Sequence, residues 1–141
     1  MSFDIYLLTF GKDESGDRLR FNRLIVEKAF ETIALDRKSD YWPMEMPDGL
    51  LTLGTVSIDL QSRIEGFSVN SPPAAMAFWD AMYDVLRQTP TLLAWPGRGP
   101  SYCVTLSNYA GLAPAGMIEE LGEPTVVTSG ADISAAIEAS A

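Results

Sequence analysis

Asp80 and Asp84 stand four residues apart, the spacing at which two carboxylates share a helix face and could hold one proton or one magnesium ion between them. They lie off the apolar stripe of their helix, and Arg87 follows Asp84 by three residues, so a solvated helix side is the preferred reading. Gly97-Arg98-Gly99-Pro100-Ser101 could hold an anion, because glycines expose backbone N–H groups and Arg98 is a bidentate donor. No Walker pattern and no Gly-x-Gly-x-x-Gly occurs, however, and a tight strand-to-strand turn explains the same residues. Thr128-Ser129-Gly130 leads into a helix N-terminus, another place where anions bind, but Asp132 in the first turn opposes that use. Oxygen-bearing residues alternate from Asp13 to Asp17 as in a calcium loop. That pattern fails because Arg18 stands where the turn glycine belongs and Leu24 where the bidentate acid belongs.

The absences narrow the chemistry further. The chain has no histidine, which removes the commonest general base, the usual nucleophilic triads and the commonest metal ligand. With one cysteine, Cys103, it builds neither an internal disulfide nor a structural zinc site. Cys103 falls between Tyr102 and Val104 in an apolar strand and reads as a small buried hydrophobe. No catalytic residue, metal ligand or cofactor is assigned.

Charge points to a class of partner instead. Against 10 basic residues stand 19 acidic ones, a net charge of −9. Arg98 is the last basic side chain, and Glu119, Glu120, Glu123, Asp132 and Glu138 follow it. Such a field argues against nucleic-acid binding and speeds encounter with a basic protein. The same surface also keeps a protein soluble without any partner. Trp42, Trp95 and Tyr102 sit near turns, where aromatics either anchor interfaces or cover the edge of a small core; both readings stand. The candidate binding residues are therefore Trp42, Trp95, Arg98, Tyr102, Glu119, Glu120 and Glu123.

The elements that must position these residues follow from periodicity. Phe3 to Phe10 reads as a buried first strand; it is too short to span a bilayer and lacks the flanks of an export signal. A cytoplasmic location, fitting the lone cysteine, and no membrane partner are expected. Asn22 caps a first helix whose apolar face is Ile25, Ala29 and Ile33, with Val26 and Phe30 beside it and Arg23, Glu27, Lys28 and Glu31 mostly opposite. The stretch Leu35 to Gly49 is irregular; its prolines exclude a helix interior and a central strand. Val56, Ile58 and Leu60 alternate with polar residues, with Leu50 to Leu53 as an extension across a bulge. After a turn at Gln61 to Arg63, Phe67 and Val69 form the antiparallel partner.

Ser71 caps a second helix with Pro72 in its first turn, and its stripe is Ala75, Trp79, Met82 and Leu86. Thr89-Pro90 ends it, and strands follow at Thr91 to Trp95 and Tyr102 to Leu106. Pro114 opens a short helix that Gly122 and Pro124 close, and Thr125 to Thr128 is a last strand. Ser129 and Asp132 have capping-box spacing before a final Ala-rich helix carrying Ile133 and Ile137. Trp-Pro occurs after each long helix, but two matching residues make no repeat.

The opening Met1-Ser2-Phe3-Asp4-Ile5-Tyr6-Leu7, the Trp95-Pro96-Gly97 turn and the closing Thr125-Val126-Val127-Thr128-Ser129-Gly130 resemble small uncharacterised bacterial proteins. Some of these are similar to immunity proteins, which neutralise toxins in contact-dependent competition. The resemblance covers the two ends and one turn and carries over no functional residue.

At 141 residues with 47% hydrophobic composition, the chain is expected to fold as one α+β domain, residues 1–141. Two layers are expected: a mixed, mainly antiparallel sheet of about five or six strands, with helices on one face. Three functions compete. The first is a non-catalytic protein-binding domain, of immunity type, that neutralises a basic toxin. The second is a small-molecule binder, or a carboxylate-dependent enzyme, with a pocket near Arg98, Trp95 or Asp80. The third is a self-assembling homo-oligomer.

Overall fold

A computed structural model describes residues 3–9, 15–16, 19–33, 41–45, 51–57, 63–70, 72–98, 101–105 and 115–140, with backbone alone for 41–45, 51–57, 63 and 115–117. Strand β1 is Asp4–Thr9, β2 Phe21–Asn22, β3 Tyr41–Glu45, β4 Leu51–Ser57, β5 Arg63–Ile64 and β6 Gly66–Asn70. Strand β7 is Thr91–Ala94, β8 Tyr102–Thr105 and β9 Thr125–Val127. The helices are α1 Arg23–Ala29, α2 Met76–Gln88, α3 Ala115–Leu121 and α4 Gly130–Ala139.

Seven strands form one mixed sheet in the order β3-β4-β6-β1-β7-β8-β9, while β2 and β5 pair separately. Among the described residues only β8 and β9 run parallel; every other pair there is antiparallel. Inside the large sheet, β1-α1-β4 and β6-α2-β7 interleave so that β4-β6-β1-β7 are neighbours, the split βαβ connectivity. This is a single small α+β domain. Its sheet has one strand more than the upper expectation, because Tyr41–Glu45 inside the stretch read as irregular forms β3. Pro43 is tolerated there because β3 is an edge strand, and the register shifts between Pro43 and Glu45. The two Trp-Pro pairs occupy unrelated places, Trp42 within β3 and Trp95 just past β7.

Alternation along the strands divides the sheet into two faces. Ile5 pairs with Val69, Leu7 with Phe67 and Leu93, and Leu93 with Cys103, so all of these share a face. With Val127 they join one core with Val26 and Phe30 of α1, Phe78, Met82 and Val85 of α2, and Ile133 of α4. Phe30 meets Phe67 edge-on at 6.2 Å and lies 5.8 Å from Phe78, whose ring meets Trp79 at 4.8 Å; α1, β6 and α2 are thereby joined. Each large side chain buried this way contributes roughly 1.5–3 kcal/mol. The opposite face carries Leu92, Tyr102 and Val104, which pack with Val126 and with Leu121 of α3. Helices on one face is thus the rule for α1, α2 and α4, and α3 departs from it. Strand β8 needs that cover, since all four of its residues are buried.

Local signals explain the helix ends. Asn22 Oδ1 accepts from Leu24 N at 2.9 Å and starts α1. Gly122 takes φ +86° and donates its N–H to the Ile118 carbonyl at 2.8 Å, closing α3 in a left-handed conformation that glycine adopts without strain. Helix α2 begins at Met76, after Ala75, later than the Ser71-Pro72 signal places it; Ser71 itself lies outside the described residues. Pro72 and Pro73 instead lead from β6 into the helix. The turn at Gln61 and Ser62 also lies outside the described residues, as do Ile58 to Leu60 and Pro114. Among the described residues, no helix is long and apolar enough to cross a membrane.

Candidate functional site

Helix α1 places its side chains differently from its simplest periodic reading. Val26 and Phe30 are fully buried and Ile33 nearly so, whereas Ile25 and Ala29 are only half-buried. Arg23, expected opposite the core, is itself buried and lies 3.7 Å from Glu27 one turn on. The rotation leaves Leu24 60% exposed. Between this flank of α1 and the last turns of α2 runs an open groove of about 500 Å³, lined by Leu24, Ile25, Lys28, Ala29, Asp84 and Arg87 among others. Its volume falls within the range typical of ligand sites. Apart from Asp84, weighed above as half of a carboxylate pair, none of its residues was a candidate from sequence, although the consecutive apolar run Leu24-Ile25-Val26, wider than one helix face, marks it.

Asp84 binds Arg87, its Oδ1 accepting from Arg87 Nε at 2.8 Å. That pairing makes Asp84 half of an ion pair, not half of a carboxylate dyad. Asp80 is exposed and abuts the start of α4 at Gly130.

Two candidate aromatics are core residues. Trp95 is 4% exposed, and its indole Nε1 donates to Ser140 Oγ at 2.6 Å, tying the end of β7 to the end of α4. Tyr102 is fully buried, and its hydroxyl donates to the Gly122 carbonyl at 2.7 Å. Neither presents a surface for a partner: the exposed-anchor reading is corrected for both, since each ring covers the sheet where a helix end meets it. Trp42 lies opposite Val56 on β3; its side chain lies outside the described residues.

Arg98 is exposed in the turn between β7 and β8, as the strand-turn reading requires, while Gly99 and Pro100 lie outside the described residues. Its backbone N–H donates to the Ser140 carbonyl at 2.7 Å, so this turn turns its amide toward α4 and not toward an anion. The Thr128–Gly130 corner is likewise filled from within. Ser129 Oγ accepts from Asp132 N at 3.1 Å, and Asp132 Oδ2 accepts from Thr128 Oγ1 at 2.7 Å and Thr128 N at 2.8 Å. The protein's own carboxylate takes the helix N-terminus. Of the calcium-like loop, only Ser15 and Gly16 fall within the described residues.

Glu119, Glu120 and Glu123 are exposed at the C-terminal end of α3 and just beyond it. The structure brings Tyr102 to this same end through Gly122, and brings Trp95 and Arg98 together at Ser140. Among the described residues no group of three His, Cys, Asp or Glu is disposed to hold a metal ion. Burial pushes the Cys103 thiol far above its ordinary value, leaving it protonated. Compared with protein-family models, with curated proteins and with solved structures, the chain finds no significant match.

Proposed function

We propose that this protein is a non-catalytic binding domain whose acidic α3 end receives a basic protein partner. One observation carries the reading. Glu119 and Glu120 occupy the last turn of α3, where backbone carbonyls already concentrate negative potential, and that turn holds no basic side chain. Carboxylates there oppose the helix dipole, so stability does not account for them. A cationic partner relieves that repulsion, and Glu123 widens the same surface. Tyr102 serves as a positioning residue, because its hydroxyl fixes the Gly122 carbonyl between Glu120 and Glu123. The resemblance to immunity proteins suggests a basic toxin as that partner, with neutralisation as the outcome of binding.

The test pairs capture with charge reversal. The tagged protein is expected to retain a basic protein from its native lysate at moderate salt and to lose it as salt rises. A Glu119→Lys, Glu120→Lys, Glu123→Lys variant should associate more slowly and with a flatter salt dependence. The same variant should melt no lower than the parent, and Lys at the helix end should raise Tm by roughly 1–3 °C. An unchanged on-rate in the variant overturns the assignment of this surface.

A further inference from the structure

The groove between α1 and α2 combines an apolar wall with a cation that makes no ion pair among the described residues. Leu24, Ile25 and Ala29 supply the wall, and Leu24 is one of three large hydrophobic residues standing exposed among those described. Arg87 is held by Asp84. Lys28, in the last turn of α1, makes no ion pair among the described residues. The lining thus carries two cations and one carboxylate in a chain with 10 basic and 19 acidic residues overall.

We infer that this groove binds a small amphipathic acid, an anionic head on a hydrocarbon body. The head would meet the Lys28 ammonium, flanked by Arg87, and the body would lie along Leu24, Ile25 and Ala29. Volume selects a small molecule over a protein segment: about 500 Å³ accommodates a ligand of metabolite size. Charge selects the sign of the head. The chain's overall negative field weakens such binding at long range, but solvent ions screen it within about 10 Å, while the groove's own cations act at contact. On the polar rim Gln88 Nε2 donates to the Asp84 carbonyl and Asn22 Oδ1 accepts from Leu24 N; the Asn22 amide is neutral, so the charge of Lys28 sets the preference for an anion. The groove shares no residue with the acidic end of α3, so either proposal stands or falls alone.

The experiment titrates the full-length protein with decanoate by calorimetry and with 1-anilinonaphthalene-8-sulfonate by fluorescence, each displacing the other. The expected result is saturable binding of one equivalent, weakened roughly tenfold by Lys28→Glu and comparably by Leu24→Asp. Both side chains are exposed, so neither change disturbs the core, and circular dichroism verifies that the fold is kept. Decanol, the same chain without charge, should bind more weakly than decanoate. Absence of saturable binding, binding by either variant as tight as the parent's, or decanol binding as tightly as decanoate overturns the inference.

Discussion

Gly130 lies directly against Asp80: a β-carbon built on it would stand 2.5 Å from Asp80 Oδ1 and 2.6 Å from the Asp80 backbone nitrogen. The first residue of α4 therefore touches the backbone of α2, and only a residue without a side chain allows that approach. Alanine ordinarily stabilises a helix by about 1 kcal/mol relative to glycine. Here the sign should reverse. Gly130→Ala is expected to cost roughly 2–3 kcal/mol, because a helix backbone cannot yield as a flexible side chain does. Urea denaturation measures it; a stabilised variant would show that α4 does not sit on α2 as described.

A second tie joins α4 to the sheet at its other end. Ser140 Oγ accepts the Trp95 indole N–H at 2.6 Å in a buried setting. Ser140→Ala should cost about 1–3 kcal/mol, since the indole N–H loses its acceptor. Adding Trp95→Phe removes the orphaned donor, so the double variant should be less destabilised than the two single costs summed. Additive costs in this double-mutant cycle would refute the coupling.

These two ties also mark how far the sequence could be read. The caps were legible: Asn22, the Ser129–Asp132 box and Gly122 act through bonds spanning two to four residues, so their spacing states their role. The alternation in β6 was equally plain. Trp95 and Tyr102 were not legible as core, because the partners that bury and bond them, Ser140 and Gly122, lie 45 and 20 residues away. One local signal did exist for Tyr102. The run Tyr102-Cys103-Val104-Thr105 contains no charged residue, as a strand buried on both faces requires. The acidic end of α3 could be read as charge but not as a place, and the groove left one mark in the sequence, the apolar run Leu24-Ile25-Val26. The groove itself depends on the rotation of α1, which the aromatic contacts of Phe30 fix.

Cys103 offers a probe of the whole core. It is fully buried in β8, and burial raises its thiol far above the range in which thiolate forms at neutral pH. A thiol reagent such as dithionitrobenzoate should leave the native protein unlabelled over the time in which it labels the urea-unfolded chain completely. Labelling of the native state should follow the population of open molecules and therefore rise in step with urea. Prompt stoichiometric labelling without denaturant contradicts the placement of β8 between two helical covers.

Asp132 gives the pH dependence a definite direction. The Thr128 hydroxyl first, then the Thr128 N–H, hold its carboxyl below the ordinary carboxylate range; desolvation opposes them, and the Ser129 hydroxyl adds a lesser lowering. A folded-state value below the unfolded one contributes stability that is fully present above the unfolded pKa, near 4, and is lost as pH falls through the folded value. Asp132→Asn keeps an acceptor and removes the charge. The Tm of the parent should exceed that of the variant by a constant margin from neutral pH down to about pH 5, and the margin should close progressively below about pH 4. A margin unchanged down to pH 2 would mean that it does not arise from the carboxylate charge, and that the Thr128 hydrogen bonds do not hold the Asp132 carboxyl below its ordinary range.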